Sequence, residues 1–437
     1  MKRILILGGD VNSAKQIARL EFAKFNNFNF DYIYPYMNPL DANQLALNKK
    51  FEEIHNNLKI RTRASVKFVY CASKYFFASK SFRIHLRVML MGNYKLKSKQ
   101  GLALTIRHFF RVKIFLYLLA SAYGFLRLPE KFINLVLRFN LKQSNVFKNI
   151  LKESNANIIV LISSGRDNIH FLMSTFSKRR EISYVMLIQN WDGPSSKNFI
   201  SSKFDYVGLW NEQQLEHLKS LIDINRLTFK IIGSPTCDKA YSKYDSALVF
   251  KNSINTSKKL LYIGQRNNYD ELSDVIQIQE FLRTNNCAYS KLAYRPHPIS
   301  KMKAKRIESR RHDFTDLEIL DSGEINLLEY SGIICLPTTF LLEVILSAVP
   351  AILYAPTDNL NFRNPRKMLQ YKHFSPIINT SWISITKDFN TLLSYLPEGL
   401  PAQSKPDQRI FDMLFPKFSD PYAMRVNNML ENLISEL

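Results

Sequence analysis

The chain has 437 residues, 46% of them hydrophobic and 13% aromatic, and a formal net charge of +23. That length exceeds one typical core, so two domains are the default, and the apolar content excludes a disordered chain. The charge requires an anionic partner, which leaves nucleic acid, an anionic membrane surface or an acidic substrate.

The four cysteines, Cys71, Cys237, Cys287 and Cys335, are far apart and form no ligand spacing. They argue against a zinc site or a disulfide framework and for a reduced, cytoplasmic setting. Met1-Lys2-Arg3 followed by Ile4 to Leu7 is too short an apolar run for a signal peptide and reads as a first strand.

That strand ends in Gly8-Gly9-Asp10, followed by a helical spacing through Ile17, Leu20, Phe22 and Ala23 and a strand near Phe30 to Tyr34. This is how a Rossmann-like half begins, although the full GxGxxG is absent. Asp10 is a candidate acceptor-side contact, with a helix cap as its competing role.

From Ile54 to Lys152 the only acidic residue is Glu130, while Lys and Arg alternate with aromatics and leucines. The longest uncharged run, Ile114 to Leu126, is too short to span a bilayer. Such a segment fits a basic amphipathic helical insertion that lies on anionic lipid or is simply domain core. Interleaved basic and aromatic residues also occur in single-strand binders, but no nucleic-acid module accompanies them here.

Strands at Asn157 to Ser163, Ile182 to Gln189, Asp205 to Leu209 and Phe229 to Ile232 alternate with helices at Asp167 to Ser177 and Glu212 to Leu221. Alternation of this kind predicts a parallel sheet covered by helices. Asp238 to Ser257 is polar and aperiodic, the expected interdomain linker. The expected domains are therefore residues 1–237, carrying the basic insertion of about 54–152, and residues 258–437.

The second domain opens with a strand at Lys259 to Ile263, the turn Gly264-Gln265-Arg266 and a helix from Asp270 to Thr284. Gln265 and Arg266 are candidate phosphate contacts, since a first strand's loop commonly faces the ligand. A strand at Tyr289 to Tyr294 leads into Arg295-Pro296-His297-Pro298, and a buried strand at Ile333 to Leu336 leads into Pro337-Thr338-Thr339, an apolar helix bearing Glu343 and a strand at Ala351 to Tyr354. One loop offers a fixed cation and an imidazole; the other offers two hydroxyls and a helix start for an anion, with Glu343 one turn further in to take ribose hydroxyls. The final helical pattern runs from Pro421 to Leu437.

In the first domain Gln189-Asn190-Trp191-Asp192-Gly193-Pro194-Ser195-Ser196-Lys197 follows a strand directly and is the densest polar loop there. Asp192 is the candidate base, with a purely turn-shaping role as the competing reading. Trp191, Ser195, Ser196 and Lys197 are candidate acceptor-side residues.

Pro337-Thr338-Thr339 with Glu343, Ser347 and Pro350 resembles the nucleotide-binding segment of GT-B glycosyltransferases. Arg295-Pro296-His297-Pro298 is similar to the His-Pro motif of bacterial sialyltransferases, Kdo transferases and polyol-phosphate transferases of surface-polysaccharide synthesis. Asp192-Gly193 resembles the Asp/Glu-Asp/Glu-Gly motif of the sialyltransferases, with Trp191 in place of the first acid. The resemblance covers mainly residues 182–355 and implies two Rossmann-like domains facing a cleft, the last helix crossing back to brace the first. It implies a metal-independent glycosyltransferase taking a CMP- or UDP-sugar, with Asp192 as base, His297 and Arg295 stabilising the leaving phosphate, and Thr338, Thr339, Glu343, Gln265 and Arg266 binding the donor nucleotide. No cofactor and no Asp-x-Asp metal motif is expected. The expected partners are the nucleotide-sugar donor, a glycan or lipid-linked glycan acceptor and the anionic inner face of the cytoplasmic membrane, where the enzyme would be peripheral. A nucleotide-sugar 2-epimerase or polyol-phosphate transferase of the same fold is one alternative; a non-catalytic membrane- or nucleic-acid-binding protein on this scaffold is another.

Overall fold

A computed structural model of the chain describes residues 2–8, 28–33, 149, 151–163, 173, 182–193, 200, 204–219, 227–249, 258–265, 269–297, 317–320, 325–356, 365–404 and 407–436. The expected basic insertion lies outside these residues except at its carboxyl end.

Among the described residues two six-stranded sheets, all of whose strand pairs are parallel, form the frame. The first contains β1 (Lys2–Gly8), β2 (Phe28–Ile33), β3 (Ile158–Ser163), β4 (Ser183–Ile188), β5 (Tyr206–Leu209) and β6 (Thr228–Ile231) in the order β2-β1-β3-β4-β5-β6. The second contains β7 (Lys259–Ile263), β8 (Lys291–Arg295), β9 (Leu317–Ile319), β10 (Gly332–Cys335), β11 (Ala351–Tyr354) and β12 (Ser384–Thr386) in the order β9-β8-β7-β10-β11-β12. Every side chain of β3 and β4 is buried, as expected of strands covered on both faces. The described helices are α1 (Glu212–Lys219), α2 (Pro235–Val249), α3 (Glu271–Thr284), α4 (Leu341–Ser347), α5 (Pro365–Met368), α6 (Ser375–Ile378), α7 (Phe389–Ser394), α8 (Gln408–Leu414) and α9 (Tyr422–Ser435).

The described residues fall into two compact units, one reaching up to Asp238 and including Asp412–Leu437, the other Lys239–Phe411. The segment expected to be an aperiodic linker from Asp238 is helical as far as Val249, and residues 250–257 lie outside the described part. Cys237, Ala240 and Tyr244 are buried at spacings of three and four, a helical stripe hidden among Ser, Lys and Asp.

In the first unit α9 buries Tyr422, Val426, Met429, Leu430 and Leu433 against Ile4, Ile6, Ile158, Val160 and Val185. Arg425 ties this helix down: its Nε donates to the Ile232 carbonyl at 2.7 Å, one terminal nitrogen donates to Asp238 Oδ1 at 2.7 Å, and the guanidinium stacks on Phe418. In the second unit Leu260, Tyr262, Val275, Ile278, Tyr294, Ile334, Leu336, Leu392 and Leu396 make one core between sheet, α3 and α7.

Candidate functional site

Counted from its own first strand, the second sheet runs 3-2-1-4-5-6, and the order reverses between β7 and β10. Ligands of open parallel sheets bind beyond the strand carboxyl ends at such a reversal. The register brings three strand ends level there: Ile263 pairs with Arg295 on one side and with Cys335 on the other. Gly264 N–H donates to the Arg295 carbonyl at 2.9 Å, and Leu336 N–H donates to the Ile263 carbonyl at 3.1 Å. Arg295-Pro296-His297, Gly264-Gln265 and Pro337-Thr338-Thr339 therefore leave the sheet side by side.

Arg295 is 9% exposed, its guanidinium carbon lies 4.3 Å from the centre of the Phe340 ring, and its Nε has no hydrogen-bond partner. Burial lowers its pKa from the ordinary arginine value, while the charge of Glu343 pushes the other way. An arginine remains a cation under that pull. The same burial pushes the Cys335 thiol up, with Arg295 opposing, so this cysteine is a neutral floor.

The Pro337 to Ser347 segment starts with a tight turn. Thr338 Oγ1 accepts from the Phe340 N–H at 3.3 Å, Leu341 N–H donates to the Thr338 carbonyl at 3.1 Å, and Leu342 N–H donates to the Thr339 carbonyl at 3.2 Å. Two hydroxyl residues thus shape the entry into α4, whose side chains are buried apart from half-buried Glu343. Thr338, Thr339 and His297 are half-buried and Gln265 is fully buried, its N–H donating to Glu271 Oε2 at 3.0 Å. The second unit thus gathers Arg295, His297, Gln265, Thr338, Thr339 and Glu343 around one reversal of strand order; Arg266 lies outside the described residues.

In the first unit the order reverses between β1 and β3, and the expected acceptor loop follows β4. Gln213 and Gln214 of α1 clamp that loop. Trp191 Nε1 donates to Gln213 Oε1 at 2.7 Å, and Gln214 Nε2 donates to the carbonyls of Asn190 and Trp191 at 3.1 and 3.0 Å. Trp191 is 1% exposed, so it supports the loop from inside, and Asp192 is 8% exposed. Asp10, Ser195, Ser196 and Lys197 lie outside the described residues.

Sequence reasoning missed Phe340 and Glu271. Phe340 sits beside the threonine pair but reads as core, and Glu271 reads as an ordinary acid in a first helical turn. Among the described residues no three His, Cys, Asp or Glu side chains are grouped to hold a metal ion, and no helix is long and apolar enough to cross a membrane.

No protein-family model matches the chain, and neither does any curated protein. Among solved structures it is similar to the UDP-GlcNAc 2-epimerase of Methanocaldococcus jannaschii, at 11% identity over 99% of this chain and 100% of that one, TM-score 0.46. It is similar to the UDP-N-acetylglucosamine 2-epimerase of Rickettsia bellii, at 10% identity over 100% and 98%, TM-score 0.48. A third likeness is to the wall teichoic acid polymerase TagF, at 11% identity over 66% of this chain and 75% of that one, TM-score 0.39. Likenesses of this size leave function to the residues of the chain itself.

Proposed function

We propose that the second unit binds the phosphate of a nucleotide-activated donor at its reversal of strand order, and that the protein is a GT-B type glycosyltransferase. It moves a sugar from a CMP- or UDP-sugar to a surface-glycan or lipid-linked glycan acceptor, without a metal. Arg295 carries this reading: a guanidinium buried at a strand end, 4.3 Å over the Phe340 ring, with its Nε unpaired. A fixed cation suits the charge that develops on a leaving phosphate, and pre-arrangement at a buried strand end costs no reorganisation during reaction. His297 is the proposed proton donor to that phosphate, Thr338 and Thr339 offer hydroxyls, and Glu343 offers a carboxylate to the ribose. Asp192 is the proposed base for the acceptor hydroxyl.

One observation favours a second reading. Asp192 is 8% exposed in a loop clamped by Gln214, which suits a structural acid. An enzyme acting on the donor alone, a nucleotide-sugar 2-epimerase, needs no acceptor base. A polyol-phosphate transferase would share the phosphate site.

Thermal shifts with CMP, CDP, UDP and GDP test the common part, since a ligand at a hundred times its dissociation constant stabilises by about 2.7 kcal/mol. Arg295→Ala should weaken the responding nucleotide about tenfold or more, and silence towards all four nucleotides sinks both readings. Product analysis then separates them. A transferase consumes donor only with acceptor, and Asp192→Asn lowers transfer roughly 10² to 10⁴-fold with nucleotide affinity kept. Inversion at the sugar's C2 without acceptor, unaffected by Asp192→Asn, identifies the epimerase.

A further inference from the structure

Arg295 carries its charge at the end of a long side chain, so whatever fixes the guanidinium decides whether it stands ready for an anion or must be ordered by one. Its backbone end is settled by the sheet: Arg295 pairs with Ile263, and its carbonyl accepts the Gly264 N–H at 2.9 Å. Its guanidinium carbon lies over the Phe340 ring at 4.3 Å from the ring centre, the residue is 9% exposed, and Nε has no hydrogen-bond partner. Phe340 comes from a different strand end and is itself planted by its backbone. Its N–H donates to Thr338 Oγ1 at 3.3 Å, and its carbonyl accepts the N–H groups of Glu343 and Val344 at 3.0 and 3.1 Å.

A carboxylate partner would hold a guanidinium by taking up its N–H donors and cancelling its charge. An aromatic ring holds it through the attraction of a cation for the π-electrons, which spends no donor and leaves the charge whole. That attraction is strongest where water is excluded, as it is around Arg295. We propose that Phe340 is a positioning residue: its ring holds the Arg295 guanidinium at the strand end with the donors kept for the donor phosphate. This rests on the nucleotide reading of the site. Phe340 acts through Arg295 rather than on the ligand, so its contribution vanishes once the guanidinium is gone.

The probe is whichever of CMP, CDP, UDP and GDP gives wild type its largest thermal shift, followed by calorimetric titration. Phe340→Leu keeps an apolar side chain and removes the ring, and should weaken binding about fivefold or more, whereas Phe340→Tyr keeps the ring and should stay within about twofold of wild type. In the Arg295→Gln background, titrated to saturation, Phe340→Leu should cost less than about twofold further, because the contact it would break is already absent. A Phe340→Leu variant that binds as tightly as wild type overturns this proposal and leaves the nucleotide reading standing. So does a loss of the same size in the Arg295→Gln background, which would mean that the ring touches the nucleotide directly. Silence of wild type towards all four nucleotides is a different failure, that of the nucleotide reading itself. If Phe340→Leu does not fold, pentafluorophenylalanine incorporated at position 340 keeps the ring's shape and withdraws its π-electrons. Binding should then weaken about fivefold or more, and unchanged binding overturns the proposal equally.

Discussion

Burial pushes the Asp274 carboxyl up to about 7, against hydrogen bonds from Tyr269 at 2.7 Å and Tyr262 at 3.1 Å that pull it down, and the charge of Glu271 adds to the rise. The folded protein therefore holds this proton where the unfolded chain, with an ordinary value of 3.8, has lost it. A raised folded value gives stability that is complete below the unfolded value and is lost as pH climbs through about 7. Asp274→Asn keeps an acceptor for both phenols and removes the titration. Wild type should lose stability relative to this variant between about pH 4 and pH 7, read from denaturant midpoints at each pH; parallel curves would show that the carboxyl is not protonated. The acid one turn earlier, Glu271, has a different part, and composition cannot distinguish the two. Arg295, His297, Thr338 and Thr339 stood out in the sequence as candidates because Pro296 and Pro298 bracket His297 and Pro337 precedes the threonine pair. Glu271 and Phe340 were not, since their meaning comes from the strand register that brings three ends level.

At the scale of elements, α4 ends on a residue at odds with its backbone. Ala348 adopts the left-handed conformation at φ 53°, which a side chain disfavours and glycine does not. The surroundings hold it there: Gln403 Nε2 donates to the carbonyls of Val344 at 3.0 Å and Val349 at 2.7 Å, closing the helix end onto β11. Ala348→Gly should stabilise the protein by about 1 kcal/mol through relief of that conformation, seen as a higher urea midpoint with an unchanged slope; a lower midpoint would mean that the methyl group's packing outweighs the strain. The strands that the sequence revealed most plainly are the buried ones, β3, β4, β7, β10 and β11, whose apolar runs stop at polar or turn-forming residues, Ser163, Gln189, Gly264, Pro337 and Pro356. The three-residue strands β9 and β12 escaped notice because each lies at an outer edge of its sheet and carries too few apolar residues to mark a period. Helix α2 escaped for the opposite reason: its buried stripe of Cys237, Ala240 and Tyr244 is complete, but the polar residues between them dominate any window average.

Over the whole molecule, two boundaries between compact units fall inside helices, after Asp238 in α2 and before Asp412 in α8, so the chain passes between units through ordered backbone. The net charge of +23 belongs to the molecule rather than to the site. A nucleotide phosphate engages one or two cations, and the surplus suits a larger anion. Between residues 54 and 152 the sequence has a single acid, Glu130, among many Lys, Arg and aromatic residues. That composition suits the surface of an anionic bilayer, where each Lys or Arg contributes on the order of 1 kcal/mol and aromatic rings settle at the headgroups. Attraction of that kind is screened within a Debye length of about 8 Å at physiological salt. The intact protein should therefore sediment with vesicles containing phosphatidylserine or cardiolipin at low salt and be released progressively as salt rises, while neutral phosphatidylcholine vesicles capture little. Equal capture by neutral vesicles would assign the binding to apolar insertion, and stronger binding to single-stranded nucleic acid than to anionic lipid would move the charge to a different partner altogether. Binding to anionic vesicles that also brings a lipid-linked acceptor within reach would lower the apparent KM for acceptor in the vesicle fraction and leave that for the soluble donor unchanged, because only the acceptor is concentrated at the surface.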